Sequence, residues 1–378
     1  MIEIYGKKYR VADLRRRVGN MDQIAGVRLV QLDNGNERPN RAAIIHTGTG
    51  LELCVLLDRC LDIASASYRG QAMGWRSTTG DVAPQYFEPE WTRWLRSYFG
   101  GLVTTCGLMN VGAPTRDSAV HGNGLHGRIG NAPARDIQIR QEWQNDAYVL
   151  SVSGIMRETV VFGENLTLRR TVSTELGSTS FRIKDVVTNE GFKNTRFQLL
   201  YHCNIGWPVV DAGSELLIPS KTIAPRDKTA AEDKSDWRRC DAPTYGYAEK
   251  VYYHDVATAK DGTATCAIIN DGWKRGNGFG VYLRYSPQEL PRFAQWKQMG
   301  EQDYVVGLEP SNCGVEGRQV DEELGLLHAL KPGESRSYSL EFGAVTDEKM
   351  VKKLRAGCAK VKPRWAESYQ DFVTKPKG

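Results

Sequence analysis

Two histidines, an arginine and a carboxylate could make an acid/base site if three separated segments met. The first, Gly122–Asn131 (GNGLHGRIGN), offers His126 beside Arg128 between glycines that let backbone approach a ligand closely. The second, Tyr201–Pro208 (YHCNIGWP), ends an apolar run on His202 and Asn204, and a strand period of two sets these on one face with Cys203 on the other. The third, Val305–Asn312 (VVGLEPSN), carries Glu309 after DYVVGL, where a buried carboxylate is costly unless it is paired or functional. A proton donor and a proton acceptor on opposite sides of a substrate are the minimum for moving protons near neutral pH, and histidine with a carboxylate suits that work.

Each of these residues also has a plainer reading. His202 at a strand end could be a ring hydrogen-bonded to backbone, and Glu309 a charge tied to a loop. Arg128 could donate paired hydrogen bonds to hydroxyls or to a carboxylate. His121 shares its loop, VHGNGLHGR, but H-x4-H there is a poor zinc spacing.

Elements must position these groups, and the composition says which kind. The chain has 378 residues, 40% of them apolar, enough to bury a substantial core. Glycines are frequent, and turn signals (LDNGN, YRGQ, TNEG, KDGT) separate short alternating runs, the pattern of a many-stranded sheet protein. The runs AAIIHTG, LELCVLLD and DIASASYRG predict adjacent antiparallel strands. The long alternation from ARDIQIRQEW to YHCNIGWP, without a strand-helix-strand repeat, predicts an all-β fold. Trp75–Tyr98, rich in aromatics, reads as a long loop with a short helix over 90–98, either core or a surface on which a ligand stacks. Ala212–Trp237 reads as a polar surface excursion whose tip could cover a site. DEKMVKKLRAGCAK predicts a helix with Thr346 as N-cap and Met350, Val351, Leu354 and Cys358 on one stripe. No linker or repeat divides the chain. One large domain over 1–378 is expected, with 1–40 as an entry segment, 346–378 as helix and tail, and TKPKG frayed.

A net charge of +5, from 50 basic and 45 acidic residues interspersed, argues against a nucleic-acid surface or an acidic-lipid anchor. Eight cysteines without a CxxC pair read as reduced, buried small hydrophobes. The N-terminus lacks an apolar signal region and no run of 18 apolar residues occurs, so a soluble, cytoplasmic protein is expected, with no membrane partner. The sequence is silent on oligomeric state.

In order along Leu51–Val345, these motifs resemble the active-site motifs of the galactose mutarotase (aldose 1-epimerase) family: GLHGR with His126, YHCNIG with His202 and Asn204, and GLEPSN with Glu309. FRIKDVVTNEGFKNTRFQLLYH is similar to the paired strands that lead to the acid histidine in these β-supersandwiches. The resemblance implies a mainly antiparallel β-supersandwich and a small-molecule sugar substrate. It implies acid/base opening of an aldose ring without a cofactor, with His202 as acid, Glu309 as base and His126 as a sugar-binding group. For that chemistry His202 must be protonated and Glu309 ionised in one pocket.

One departure stands out. The family's arginine after the buried strand is replaced here by Met109 and Asn110, with Arg128 as a substitute, and its hydroxyl-binding aspartate has no counterpart motif. Further pocket candidates are Arg59, Asp62, Trp296 and Lys297; for Arg59 and Asp62 a salt bridge is an equal reading. Two alternatives stay open. One is epimerisation, isomerisation or β-elimination on an oxidised sugar, with a divalent metal on His126, His202 and Glu309. The other is a non-catalytic carbohydrate-binding module.

Overall fold

Two kinds of strand are present, and the kind decides the sheet. The computed structural model describes residues 1–115, 123–232, 234–273 and 278–374. Thr195–Gly206 is buried on both faces from Phe197 onward and Tyr304–Ser311 along its whole length, as strands covered on two sides must be. They lie side by side in a central sheet. Its order is Thr104–Leu108, Thr195–Gly206, Tyr304–Ser311, Arg292–Met299, Lys250–Val256, Ser220–Pro225 and Arg364–Trp365, with His328–Leu330 paired to the start of Thr195–Gly206.

Strands that alternate buried with less buried residues, such as Asn165–Glu175 and Ser180–Asn189, form an outer sheet. Its order is Arg135–Gln144, Ala147–Thr159, Asn165–Glu175, Ser180–Asn189, Ser335–Val345, Phe279–Tyr285, Ala264–Asn270 and Glu215–Leu217. A third sheet holds Gly26–Gln31, Arg41–His46, Leu51–Leu56, Asp62–Tyr68 and Gln71–Ala72. Pairing is mainly antiparallel; Thr222 and Ile223 meet Arg364 and Trp365 in a short parallel contact. The architecture is all-β with short helices, as expected. No helix among the described residues is long and apolar enough to cross a membrane.

One apolar core joins the three sheets. It takes Leu199, Tyr201, Cys203, Phe293 and Leu308 from the central sheet, Val172, Ile183 and Leu340 from the outer one, and Ile45 and Leu53 from the third. The opposite face of the central sheet carries Leu200 and Val305, which pack with Trp75, Trp94, Tyr98 and Cys313 in a separate cluster. The two-residue period therefore sends alternate side chains of the same strands into the core and toward this aromatic cluster.

Several local expectations change. Ser180–Asn189 and Thr195–Gly206 follow each other through the TNEG turn but do not pair; the chain crosses there from the outer to the central sheet. The first strand alternates and the second is buried on both faces, so the two cannot share an environment. The excursion at 212–237 contributes two strands, Glu215–Leu217 and Ser220–Pro225, and a short helix, Lys228–Ala231. Within 90–98 the chain forms a 3₁₀ turn, Arg93–Ser97. The C-terminal helix, Glu348–Ala359, is capped by Asp347, whose carboxylate accepts from Met350 N–H at 2.8 Å, one residue after the expected Thr346. Its predicted stripe packs on Leu217, Ala267 and Tyr282. All eight cysteines are free, and seven are buried.

Candidate active site

A cavity of about 730 Å³ opens over the aromatic face of the central sheet, lined among others by Trp75, Trp94, Tyr98, His126, His202, Trp296 and Glu309. The strand periods bring these groups together. His202 projects from Thr195–Gly206; on the neighbouring strand, Glu309 and Gly307 lie on the cavity side while Val306 and Leu308 join the core. Gly307 is required by its neighbour, since a Cβ there would sit 2.4 Å from Glu309 Oε1.

His202 Nε2 lies 3.2 Å from Glu309 Oε1, and both side chains are more than nine-tenths buried. The hydrogen bonds behind His202 fix its tautomer. Asn204 donates from Nδ2 to the carbonyls of Gly100 (3.2 Å) and His202 (3.0 Å), so its Oδ1 faces Tyr98 and accepts the phenol proton at 2.7 Å. With that proton committed, the Tyr98 oxygen is an acceptor toward His202 Nδ1 at 3.1 Å, and the imidazole must carry its proton on Nδ1. Nε2 then presents a lone pair to Glu309 Oε1, an oxygen with no hydrogen-bond partner among the described residues. Two acceptors this close need a proton between them.

Burial decides where that proton rests. It pushes the Glu309 carboxyl up to about 8, helped by the charge of Glu249 and opposed by Arg226. It pushes His202 down to about 3, with His126 acting in the same direction. The pair is therefore neutral near pH 7, with the proton on Glu309. This reverses the expected resting state of imidazolium and carboxylate: in a desolvated pocket the cost of two charges outweighs their attraction. The ionic form is one proton transfer away.

His126 stands beside His202. Its ring centroid is 5.6 Å from that of His202 and 4.8 Å from that of Trp94. Its backbone has φ +56°, and the next residue, Gly127, approaches Gly107 so closely that a Cβ would lie 2.5 Å from the Gly107 carbonyl oxygen. His126 Nδ1 accepts from Gly112 N–H at 3.3 Å, leaving Nε2–H as the donor of the ring, and burial holds its pKa down at about 4. Trp94 stacks on Tyr98 at 4.3 Å, while Trp296 meets His202 edge-on at 5.4 Å and Trp75 at 6.2 Å. The loop that could have been plain core thus supplies three aromatic side chains, Trp75, Trp94 and Tyr98, that are both packed together and part of the cavity lining.

Other expected contacts do not reach it. Arg128 is exposed and does not line the cavity. Arg59 is fully buried, donating to the carbonyls of Gly130 (2.8 Å), Ser97 (2.9 Å) and Val82; it ties the histidine loop to the aromatic loop from behind. Asp62 accepts from Thr105 and Arg170. Lys297 follows Trp296 in the strand, so it projects from the other face, where it pairs with Asp236 (2.6 Å) and Asp241 (2.9 Å). Asn204 sits behind His202. Asn110, just after the buried strand Thr104–Leu108, braces the loop by donating to Gly124 and Ala113 carbonyls. His121 lies outside the described residues. Among the described residues no cluster of three or more His, Cys, Asp or Glu side chains is arranged to hold a metal ion, His126, His202 and Glu309 included.

Three lining groups had no motif to announce them: Arg226, Glu249 and Glu316. Arg226 donates to Glu249 at 2.9 Å and Asp227 at 3.2 Å, Trp296 Nε1–H donates to Glu249 at 2.8 Å, and Tyr253 donates to Glu316. Only the polar character of the 212–237 stretch pointed toward Arg226.

Solved structures share this fold. A candidate aldose 1-epimerase from Klebsiella pneumoniae is 23% identical, with a TM-score of 0.86 over 92% of this chain and 93% of its own. A galactose mutarotase-like protein from Clostridium acetobutylicum is 13% identical (TM-score 0.57; 86% and 100% covered). A galactose 1-epimerase from Lactobacillus acidophilus is 12% identical (TM-score 0.50; 85% and 99%). The fold is thus the galactose mutarotase-like β-sandwich. No curated protein matches the sequence significantly. A family described as a domain of unknown function, DUF4432, matches residues 37–344, and the chain belongs to that family.

Proposed function

We propose that this protein is a carbohydrate-active isomerase of the aldose 1-epimerase type, acting on a small-molecule sugar by opening and reclosing its ring at the anomeric carbon. The observation that carries the reading is the 3.2 Å approach of His202 Nε2 to Glu309 Oε1 within an aromatic-walled cavity, with one proton to share. Kinship of fold with proteins named as aldose and galactose 1-epimerases agrees with it.

The steps follow from the proton count. As the sugar enters, the Glu309 proton crosses to His202 Nε2, giving a carboxylate and an imidazolium whose mutual attraction is strong in a dry site. Glu309 takes the proton of the anomeric hydroxyl while His202 gives its proton to the ring oxygen. The bond from C1 to the ring oxygen breaks, its electron pair staying with that oxygen, and a lone pair on O1 forms the aldehyde. The aldehyde turns about C1–C2, and the reverse transfers close the other anomer. One proton enters the pair and one leaves, so the scheme needs no cofactor. His126 Nε2–H binds a hydroxyl, and the tryptophan faces take the C–H faces of the sugar.

Polarimetry of freshly dissolved aldoses tests the reading. Purified protein should hasten anomerisation of at least one aldose, and Glu309→Gln should lower kcat/KM by about 10²–10⁴-fold, the usual worth of a positioned acid/base group. If no common aldose responds, and Glu309→Gln and His202→Ala bind sugars as the wild type does, the catalytic reading fails.

A further inference from the structure

We infer that the cavity is a trough with two subsites and that its substrate is a sugar extended by a second, uncharged glycosyl unit, such as a disaccharide. The inference rests on the proposed anomerisation and adds the size and charge class of what is bound.

The length of the floor comes first. His202, Glu309, Trp296, Val251 and Arg226 all line the cavity, and they belong to, or directly follow, five adjacent strands of the central sheet. Four strand spacings make about 19 Å. A pyranose ring covers roughly one spacing. The lining runs past the acid/base pair to Trp94 and His126 on one side and to Trp296, Glu249 and Arg226 on the other, so a single sugar seated on the pair leaves much of the cavity unfilled.

The far end is also built. Glu249 holds two partners at once: Oε2 accepts the Trp296 indole N–H at 2.8 Å and Oε1 accepts from Arg226 Nη2 at 2.9 Å. This fixes the Trp296 ring midway along the floor, where its edge contact with His202 marks the boundary of the first subsite. An aromatic plate flanked by groups that donate and accept hydrogen bonds suits a second sugar. Charge decides its class. Among the described residues that line the cavity the one cation is Arg226, which already serves Asp227 and Glu249, and Glu316 lines the cavity too, so this positive group stands against three carboxylates. A phosphate or uronate carboxylate would meet net repulsion; hydroxyls would not. The His202–Glu309 pair itself, 3.2 Å apart, sets the register of the first sugar.

The test compares kcat/KM for glucose, cellobiose, maltose, glucose 6-phosphate and glucuronic acid, measured by polarimetry or NMR on the whole protein. At least one disaccharide should exceed glucose by about tenfold, the worth of one or two hydrogen bonds with a stacked ring, and both anionic sugars should fall below glucose. Glu249→Ala should bring the ratio of disaccharide to glucose close to one. Glucose used as well as either disaccharide, a preferred anionic sugar, or a ratio that Glu249→Ala leaves intact overturns the inference. If no sugar is anomerised, the catalytic reading falls separately, and calorimetry with the same sugars decides: tighter binding of a disaccharide than of glucose, abolished by Glu249→Ala, supports the trough, and equal or absent binding overturns it.

Discussion

Two buried ionisable clusters lie in this protein, and they are treated in opposite ways. In the core, Arg170 is bracketed by Asp62 (2.6 Å) and Asp185 (2.7 Å), all three with fully buried side chains or nearly so. Every side of this cluster is occupied: Thr105 donates to Asp62 through its backbone and hydroxyl, Tyr201 donates to Asp185, and Arg170 also donates to the Cys60 carbonyl. Burial alone would lower the Arg170 guanidinium, yet its two carboxylates raise it well above its ordinary value. The charges are kept because each has partners. At the cavity, His202 and Glu309 are nearly as buried, but His202 is held only through Nδ1, and Glu309 Oε1 has no group beside it except His202 Nε2. That pair stays neutral. A buried charge cluster with its hydrogen bonds complete is structure; one left incomplete over an opening is equipped to exchange a proton with a ligand.

The sharpest way to break this contrast is to remove one member of each cluster. His202→Ala should cost about 10²–10⁴-fold in kcat/KM with no fall in the urea midpoint. Arg170→Met should instead lose about 3–5 kcal/mol of stability, because two buried carboxylates lose their partner. Urea denaturation reads the second directly, and a loss under about 1 kcal/mol would show that the core cluster does not hold the sheets together. Tyr98→Phe keeps the ring on Trp94 but removes the hydroxyl that locks His202. It should lower kcat about tenfold with KM little changed, the scale of one lost buried hydrogen bond. Nitrogen chemical shifts of the His202 ring should report Nδ1–H in the wild type and mixed tautomers in the variant. An unchanged tautomer would remove Tyr98 from the relay.

The smallest effects are in pH. Glu309 is raised from 4.5 to about 8, so its contribution to stability is full below about 4.5 and is lost as pH rises through about 8. His202 is lowered from 6.5 to about 3, so its contribution is present above 6.5 and is lost as pH falls through about 3. The pair therefore keeps a single proton across the interval between. kcat/KM should be level from about 4, where His126 also titrates, to about 8. Above that the shared proton leaves, and below it a second arrives. A profile with a limb near 6.5 would mean that His202 is solvated and the neutral pair is wrong.

Much of this site could be read from the chain, for a local reason. A strand fixes facing by alternation, so FQLLYHCN put His202 and Asn204 on one side, and DYVVGLEP set Glu309 in a buried strand where an acid needs a reason. The same alternation, applied to FAQWKQM, separates Trp296 from Lys297, but which face looks at the cavity depends on the neighbouring strands. Arg59 and Arg128 looked like anion or hydroxyl binders because arginine chemistry is legible; that one braces two loops from inside and the other points to solvent is not.

By itself, then, the sequence determined the all-β class, the cysteines without disulfide partners and the amphipathic C-terminal helix, since each follows from residue type and short-range period, while His202 and Glu309 came forward as a candidate acid/base pair through the resemblance of their motifs to those of a known family. Only the tertiary structure decided that Ser180–Asn189 and Thr195–Gly206 part into different sheets, that Tyr98 and Asn204 hold the tautomer of His202, that Arg226 and Glu249 extend the floor, and that burial raises Glu309 while it lowers His202. These depend on groups from about twenty to about a hundred residues apart meeting in a desolvated site, and desolvation has no signature in a linear pattern.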